Sequence, residues 1–496
     1  MKKLAWAVIA LFIAYTAGWY YQSKQIQQTL NIVEAGSTAD LSYSARMVSG
    51  YPFAIEVTYT DLLIVDDLSF TEGGETAATL VYGIPNVTLR SGLLDRGVVT
   101  GAIPDMVTLD LLFANGLRIP QRFETSEGVM SFQMDETRIQ FQATAPGVTQ
   151  TVAVPDTLDA TEPGEELVVE FSDVAVMGSV PATAAGGMTN ITFSTNGSAT
   201  TFDRTTTDAN GHTSRSRQAF VAEGGTFTFT SGPDGSFEIS SSSDGTESIL
   251  SQTRLGALNT QTQMDVVQTT GPSEFRLSRG TDGFVMTVDQ LDVGFESVTS
   301  VSNAPGAGMA IGGTMARFGL GLELPDDLSS GKRPFALTFN MQDLLPNDQT
   351  IALYDPSGVF ADHATSVDLA MNGSVTIAPG IDGLEALLSH SQPFEEAVMQ
   401  VERASVAALG AAASANGRVL VRGPRPEDTL LRLNLTVTGV QVLVNQLVRA
   451  GLLPPENAGV FVQMIDALTA PTDVENQRMS EIIYQNGRLV MNGVPL

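Results

Sequence analysis

His212, His363 and His390 are the three imidazoles of the chain, and they stand far apart in different contexts. His212 lies in a polar stretch and His390 beside an expected helix end. His363 follows Asp362 and stands three residues before Ser366, which brings the residue types of a nucleophilic triad into one short run. A triad is defined by geometry rather than by proximity in sequence, and no GxSxG elbow accompanies it. Two Asp-containing turns, "TDAN" and "GPDGS", hold one carboxylate each and lack the ligand spacing of a calcium loop. "PGAGMAIGG" (305–313) has a GxG without the third glycine or the strand-before, helix-after setting of a dinucleotide fold; it reads as a loop or a glycine-bearing strand. The pairs Asp66-Asp67 and Glu395-Glu396 are adjacent, so their side chains point apart on a strand or a helix. The chain has no cysteine, which excludes disulfides, thiol catalysis, iron–sulfur clusters and cysteine-ligated zinc. The spacing therefore assigns no catalytic residue, no cofactor-binding residue, no metal ligand and no cofactor.

The elements around these residues follow period two. "LLRLNLTV" sets Leu431, Leu433, Leu435 and Val437 against Arg432, Asn434 and Thr436, and "TFTFT" (226–230), "RIQFQ" (138–142), "FVMTVDQLDV" (284–293) and "FALTFNM" (335–341) alternate in the same way. Asn196-Gly197, Asn210-Gly211, Asp234-Gly235, Asp244-Gly245, Asp282-Gly283, Asn372-Gly373 and Asn486-Gly487 read as hairpin turns, because Asn and Asp tolerate positive φ and Gly favours it. Three helices are expected towards the end. One carries Phe394, Ala397, Val398, Val401 and Ala404 on a stripe, the second is "VQVLVNQLVRAG", and the third is "GVFVQMIDAL". Their polar faces lack the lysines and arginines of a membrane-surface helix, so they are expected to cover one face of the sheet. Residues 178–250 are rich in Ser, Thr and Gly, and their latter half still alternates as solvated strands. No exact internal repeat is visible. The fold class is mainly β with a few helices (α+β), built as a large curved antiparallel sheet.

Ahead of the sheet, Lys2 and Lys3 precede an 18-residue run without charge, Leu4 to Tyr21. At 1.5 Å per residue it would span roughly 27 Å, close to the hydrocarbon thickness of a bilayer. The two lysines would keep the N-terminus in the cytoplasm, and Trp6 at one end with Trp19, Tyr20 and Tyr21 at the other suit the two interfaces. A cleaved signal peptide is the competing reading, but Thr16-Ala17-Gly18 is a poor cleavage site. Ala10, Ala14 and Gly18 recur every four residues, a spacing that ordinary membrane-helix composition explains. The expected organisation is a transmembrane anchor over 1–30 and a periplasmic β-rich domain over 31–496, taken as one sheet or as halves 31–255 and 256–496. Net charge is −29 with a pI near 4.3, which repels phosphate backbones and argues against nucleic-acid binding. Charged residues are 16% and hydrophobic residues 43%, the balance of a folding chain.

"VSGYPFAIEVTYTDLLI" (48–64), together with "GWYYQSKQIQQ" at the exit of the apolar run, resembles a family of membrane-anchored Gram-negative envelope proteins known as domain of unknown function 2125. "LLPNDQTIALYDPSGVFADHATSVDLAMNGSV" is similar to that family's Pro-marked helix leading through an Asp-Pro turn to a strand. The ending "LVRAGLLPPENAGVFVQMI … NGRLVMNGVPL" is similar to it as well, and to a second set of membrane-anchored periplasmic proteins. The resemblance brackets the chain, leaves 180–255 without a counterpart and carries no catalytic residue. It implies a single-pass inner-membrane protein with its bulk in the periplasm. Such a protein would be a non-catalytic binding or envelope-assembly module, for a lipid-like ligand or an envelope protein partner. The alternatives are an envelope hydrolase acting on a surface polymer and a protein-binding scaffold. The anchor is directly testable. The full chain is expected to remain with membranes through alkaline carbonate extraction, and a form lacking residues 1–30 to be released.

Overall fold

A computed structural model describes residues 16, 20, 23–24, 27–28, 40–51, 54–68, 78–92, 98–113, 116–135, 137–154, 165–181, 187–207, 213–255, 261–280, 283–302, 308–325, 331–355, 357–359, 361, 363–379, 394–423 and 425–495. Strands take 74% and helices 10% of the described residues, so the mainly β, antiparallel class stands. The expected membrane helix falls outside the described residues apart from Thr16 and Tyr20, which are helical, as are Ser23, Lys24, Gln27 and Gln28. Among the described residues no helix is long and apolar enough to cross a membrane. The chain divides into two compact units, residues 1–204 with 217–233, and residues 205–216 with 234–496.

In the first unit, β1 (Asp40–Ser42) and β2 (Ala45–Ser49) lie end to end along β3 (Ala54–Leu68), which pairs with β4 (Ala78–Gly92). Two short strands, β5 (Val98–Ala102) and β6 (Met106–Phe113), then share the far side of β4. β7 (Arg118–Ser126) pairs with β6, β8 (Val129–Met134) pairs with β5, and both meet the long β9 (Arg138–Val154). β10 (Glu165–Pro181) follows β9, then β11 (Thr189–Thr195) and β12 (Gly197–Thr207) again split one strand position. β13 (Thr213–Ala222) comes next in the chain, and β14 (Gly225–Ser231) pairs with β11. Long strands thus alternate with pairs of half-strands, and the breaks line up as a crease across the sheet.

At the crease the long strands carry a left-handed aspartate: Asp61 (φ +50°) in β3 and Asp173 (φ +49°) in β10. A non-glycine residue in that region is held there by its surroundings, and Asp tolerates it by bonding locally. Ser44, at the break between β1 and β2, donates to Asp61 Oδ2 at 2.8 Å. Asn196, at the break between β11 and β12, donates to Asp173 Oδ2 at 3.1 Å. The register sets Asp61 against Pro85 and Asp173 against Pro146, residues with no backbone N–H to leave unpaired. The kink also shifts the side-chain phase. Tyr59 and Leu62, three apart, join Val57 and Val87 in one buried cluster, where an unbroken strand would put them on opposite faces.

The second unit repeats the plan. β15 (Phe237–Ser243) and β16 (Thr246–Leu255) lie end to end, β17 (Gln261–Thr270) pairs with β16 and β18 (Ser273–Gly280) with β15, and both meet the long β19 (Gly283–Val301). Asp292 of β19 is left-handed at φ +48°, and the residue after it, Val293, is buried, as are Leu62 and Val174 after their aspartates. β20 (Met309–Leu324) and β21 (Gly331–Pro346) continue the sheet, and α1 (Asp348–Tyr354) turns back onto β20. Thr350 of α1 bonds both the N–H and the C=O of Gly312, so "PGAGMAIGG" ends as a glycine-bearing strand docked on a helix. β22 (Thr365–Ile377), β23 (Phe394–Ala408), β24 (Ala411–Val421) and β25 (Thr429–Thr438) follow in antiparallel order. After α2 (Val440–Arg449) and α3 (Pro455–Leu468) come β26 (Ala470–Pro471), β27 (Gln477–Gln485), β28 (Arg488–Met491) and β29 (Val494–Pro495).

Two of the three expected helices are therefore present as α2 and α3. The third is corrected: Phe394–Ala408 is a strand. Its register slips between Val401 and Ala404, so those two residues share a face at a spacing of three and imitate a helical stripe. The helices also do not blanket the sheet; α2 packs on α3 and reaches β24, with Val444 fully buried beneath it. Among the turns, Asn486-Gly487 is a two-residue hairpin with both residues at positive φ, while of Asp282-Gly283 only Gly283, which pairs with Gly280 at the start of β19, is among the described residues. Asn196-Gly197 and Asp244-Gly245 instead sit at breaks within a strand position, and Asn372-Gly373 lies inside β22. There a Cβ on Gly373 would meet Val398 O at 2.1 Å, so the glycine serves strand approach, not a turn. Asn210-Gly211 and His212 lie outside the described residues.

The crease predicts a specific intolerance. Asp173→Val would force a β-branched residue to hold positive φ and lose the Asn196 bond, lowering stability by about 1–3 kcal/mol. Asp173→Asn keeps both features and is expected to cost at most about 1 kcal/mol. Urea midpoints of the two variants, followed by circular dichroism, check the difference.

Candidate functional site

Among the described residues, His363 and Ser366 are each bonded to a different neighbour. His363 Nε2 lies 3.0 Å from the Gln446 amide nitrogen on α2. Ser366 Oγ accepts from the Asp343 N–H at 3.0 Å and donates to Asp343 Oδ1 at 3.3 Å, fixing the left-handed Asp343 at a bulge in β21. Asp362 and His390 lie outside the described residues. Among the described residues no group of three or more His, Asp or Glu could hold a metal. A depression of about 890 Å³ at the first unit's crease is lined by Glu124, Thr149, Glu170 and Ser172 with the small Gly147 and Gly197. Glu124 is already paired with Arg122 at 3.0 Å, and the depression holds no histidine, lysine or cysteine to serve as a base or nucleophile beside its hydroxyls.

What the register does bring together is apolar. In the first unit, the rungs run from Val57 to Leu89, Gly101, Met130, Ala143, Val176, Phe193 and Phe227. Phe132 and Phe141 face each other in the neighbouring rung, as do Ile191 and Phe229. Phe171, on the other side of the crease, meets Phe193 edge-on at 5.6 Å, so the phase shift at Asp173 keeps both halves of β10 on this face. The reverse face presents Ser131, Gln142, Met177, Thr192 and Thr228 along one rung. On the apolar side Tyr82 is half-buried; burial, and secondarily the Asp66 charge, hold its phenol above the usual range, so it stays a neutral donor.

The second unit shows the same separation over more strands. One rung crosses eleven strands through Ile239, Leu277, Met286, Leu322, Leu337, Met371, Val401, Gly417, Leu433, Ile482 and Met491. Glycine is its one gap. Beside it Phe339 stands between Leu320 and Leu369, with Phe318 edge-on at 5.9 Å. The reverse face carries cross-strand ion pairs: Arg276–Glu238 at 3.0 Å, Arg317–Asp289 at 2.8 Å, Arg403–Asp368 at 2.9 Å and Arg432–Glu481 at 2.6 Å. Their guanidinium groups are mostly exposed, so each pair contributes little, roughly 0–1 kcal/mol.

In a two-layer sandwich the apolar faces would be buried. Here most of these side chains are half-buried, and Phe227 and Phe295 are exposed. The buried residues instead concentrate near β3 and β4 in the first unit and at isolated points in the second. Sequence reading found the alternation strand by strand. It did not find that the alternating residues align into one face per unit, because that alignment depends on the aspartate kinks and the register. No family model matches the chain, and comparisons with curated proteins and with solved structures return no match, so the resemblance noted above rests on its own residues.

Proposed function

We propose that the protein is an inner-membrane-anchored periplasmic binding module that holds lipid-like, amphipathic ligands on the apolar faces of its sheets and catalyses no reaction. The observation that carries this reading is the eleven-strand rung of apolar side chains in the second unit, left half-buried with a polar, ion-paired reverse face. Exposed apolar area of that extent marks an interaction surface. Acyl chains suit it because the face offers aliphatic and aromatic contact without the convergent polar groups that would orient a compact polar substrate. The resemblance to anchored envelope proteins supports the location, as do the lysines before the apolar run.

The test is lipid analysis of the protein purified from its native membrane, with the ectodomain freed by a protease site engineered after Lys24. Acyl lipid is expected at a molar ratio of one or more per ectodomain, falling severalfold in Phe339→Glu, since a carboxylate placed among Leu320, Leu369 and Phe318 would face uncompensated desolvation beside a chain. A clean, lipid-free ectodomain would sink the lipid reading and leave a protein-binding scaffold.

A further inference from the structure

We infer that the first unit takes its ligand directly from the outer leaflet of the membrane holding the anchor, at the strand ends beside Tyr51, and that this ligand is a glycerophospholipid acyl chain. The inference rests on the lipid-binding proposal above. Thr16 lies inside the apolar run of Leu4 to Tyr21, and its hydroxyl is 2.8 Å from the Tyr51 hydroxyl. Thr16 precedes Tyr21 by five residues, so a run that crossed the membrane as a helix, at about 1.5 Å per residue, would hold Tyr51 near the boundary of acyl chains and headgroups. Below it the helical residues are tied in place. Ser23 is buried and donates to Tyr20 O at 2.9 Å, and the Lys24 ammonium stands 5.1 Å from the Tyr20 ring, a cation at headgroup level.

Tyr51 leads into the first strand of the apolar face. The Ala54 N–H bonds Gly50 O at 3.0 Å, and Ala54 and Ile55 are both buried although their side chains point to opposite faces. Ile55 and Val57 are themselves buried, Val57 in the cluster with Tyr59, Leu62 and Val87, and the face first offers half-buried side chains beside them at Leu89 and Met130. A chain leaving the leaflet here would pass from hydrocarbon to protein without exposing each methylene to water, which entry from solution requires.

The test inserts twenty Gly/Ser residues between Gln28 and Asp40 of the full chain, leaving both units unaltered, and places the photocrosslinker p-benzoylphenylalanine at Phe132. In cells, crosslinking to phospholipid is expected to fall about four- to fivefold in the spacer variant, following the dependence of effective concentration on tether length. Loading of delipidated protein from detergent–phospholipid mixed micelles is expected to be equal with and without the spacer. Equal crosslinking in cells would overturn direct transfer while leaving lipid binding intact, and crosslinks to protein in place of lipid would overturn the occupant. If neither form loads from micelles, the binding proposal fails and the transfer with it.

Discussion

Side chains on an extended strand alternate between faces, so a strand of fifteen or more residues can serve one apolar face only if its phase is controlled from end to end. β3 and β10 do not alternate through. In "VVEFSDVAV" the apolar residues Val169, Phe171, Val174 and Val176 run two, three and two apart, and Asp173 takes up the odd step in the left-handed region. Without that step Val174 and Val176 would turn to the face of Met177 and Thr192, and the half-strand β11 would meet a polar neighbour. The amphipathic character of the whole first unit therefore depends on a backbone conformation that aspartate tolerates and most residues resist. The hydroxyl or amide that meets each aspartate comes from the break in the adjoining strand position, so kink and break stabilise one another.

This dependence explains what was legible from the sequence. Period two was correct for "LLRLNLTV" and "FALTFNM", which lie within uninterrupted stretches of β25 and β21. It failed at Phe394–Ala408, where a slip after Val401 produced a spacing of three and the pattern of a helix. In α2 and α3 the helical spacing is sustained, with Leu443, Val444, Leu447 and Val448 in one and Phe461, Met464, Ile465 and Leu468 in the other recurring at three and four. Turn chemistry misled in a related way. Asn196-Gly197 and Asp244-Gly245 have hairpin composition, but the positions they fill are breaks where one strand position passes to a second half-strand. Local propensity reports that the chain departs from extended geometry and not where it goes next. The repeat of the plan, an aspartate kink in a long strand flanked by half-strands, left no visible sequence repeat because the shared elements are one residue and a phase shift.

The charge balance bears on how such a surface stays in solution. A half-exposed apolar face invites association with other copies, and the net charge of −29 opposes it by mutual repulsion. The reverse face of the second unit spends several of the chain's few arginines in cross-strand pairs, which leaves the remaining carboxylates uncompensated and the surface acidic. Those same carboxylates would be repelled by anionic headgroups. An untethered protein of this composition would thus be kept from the bilayer that supplies its proposed ligand. The proposed N-terminal anchor would resolve the conflict by holding one strand end at the membrane while repulsion keeps the acidic face turned away, and that combination would require both the apolar run and the acidic composition.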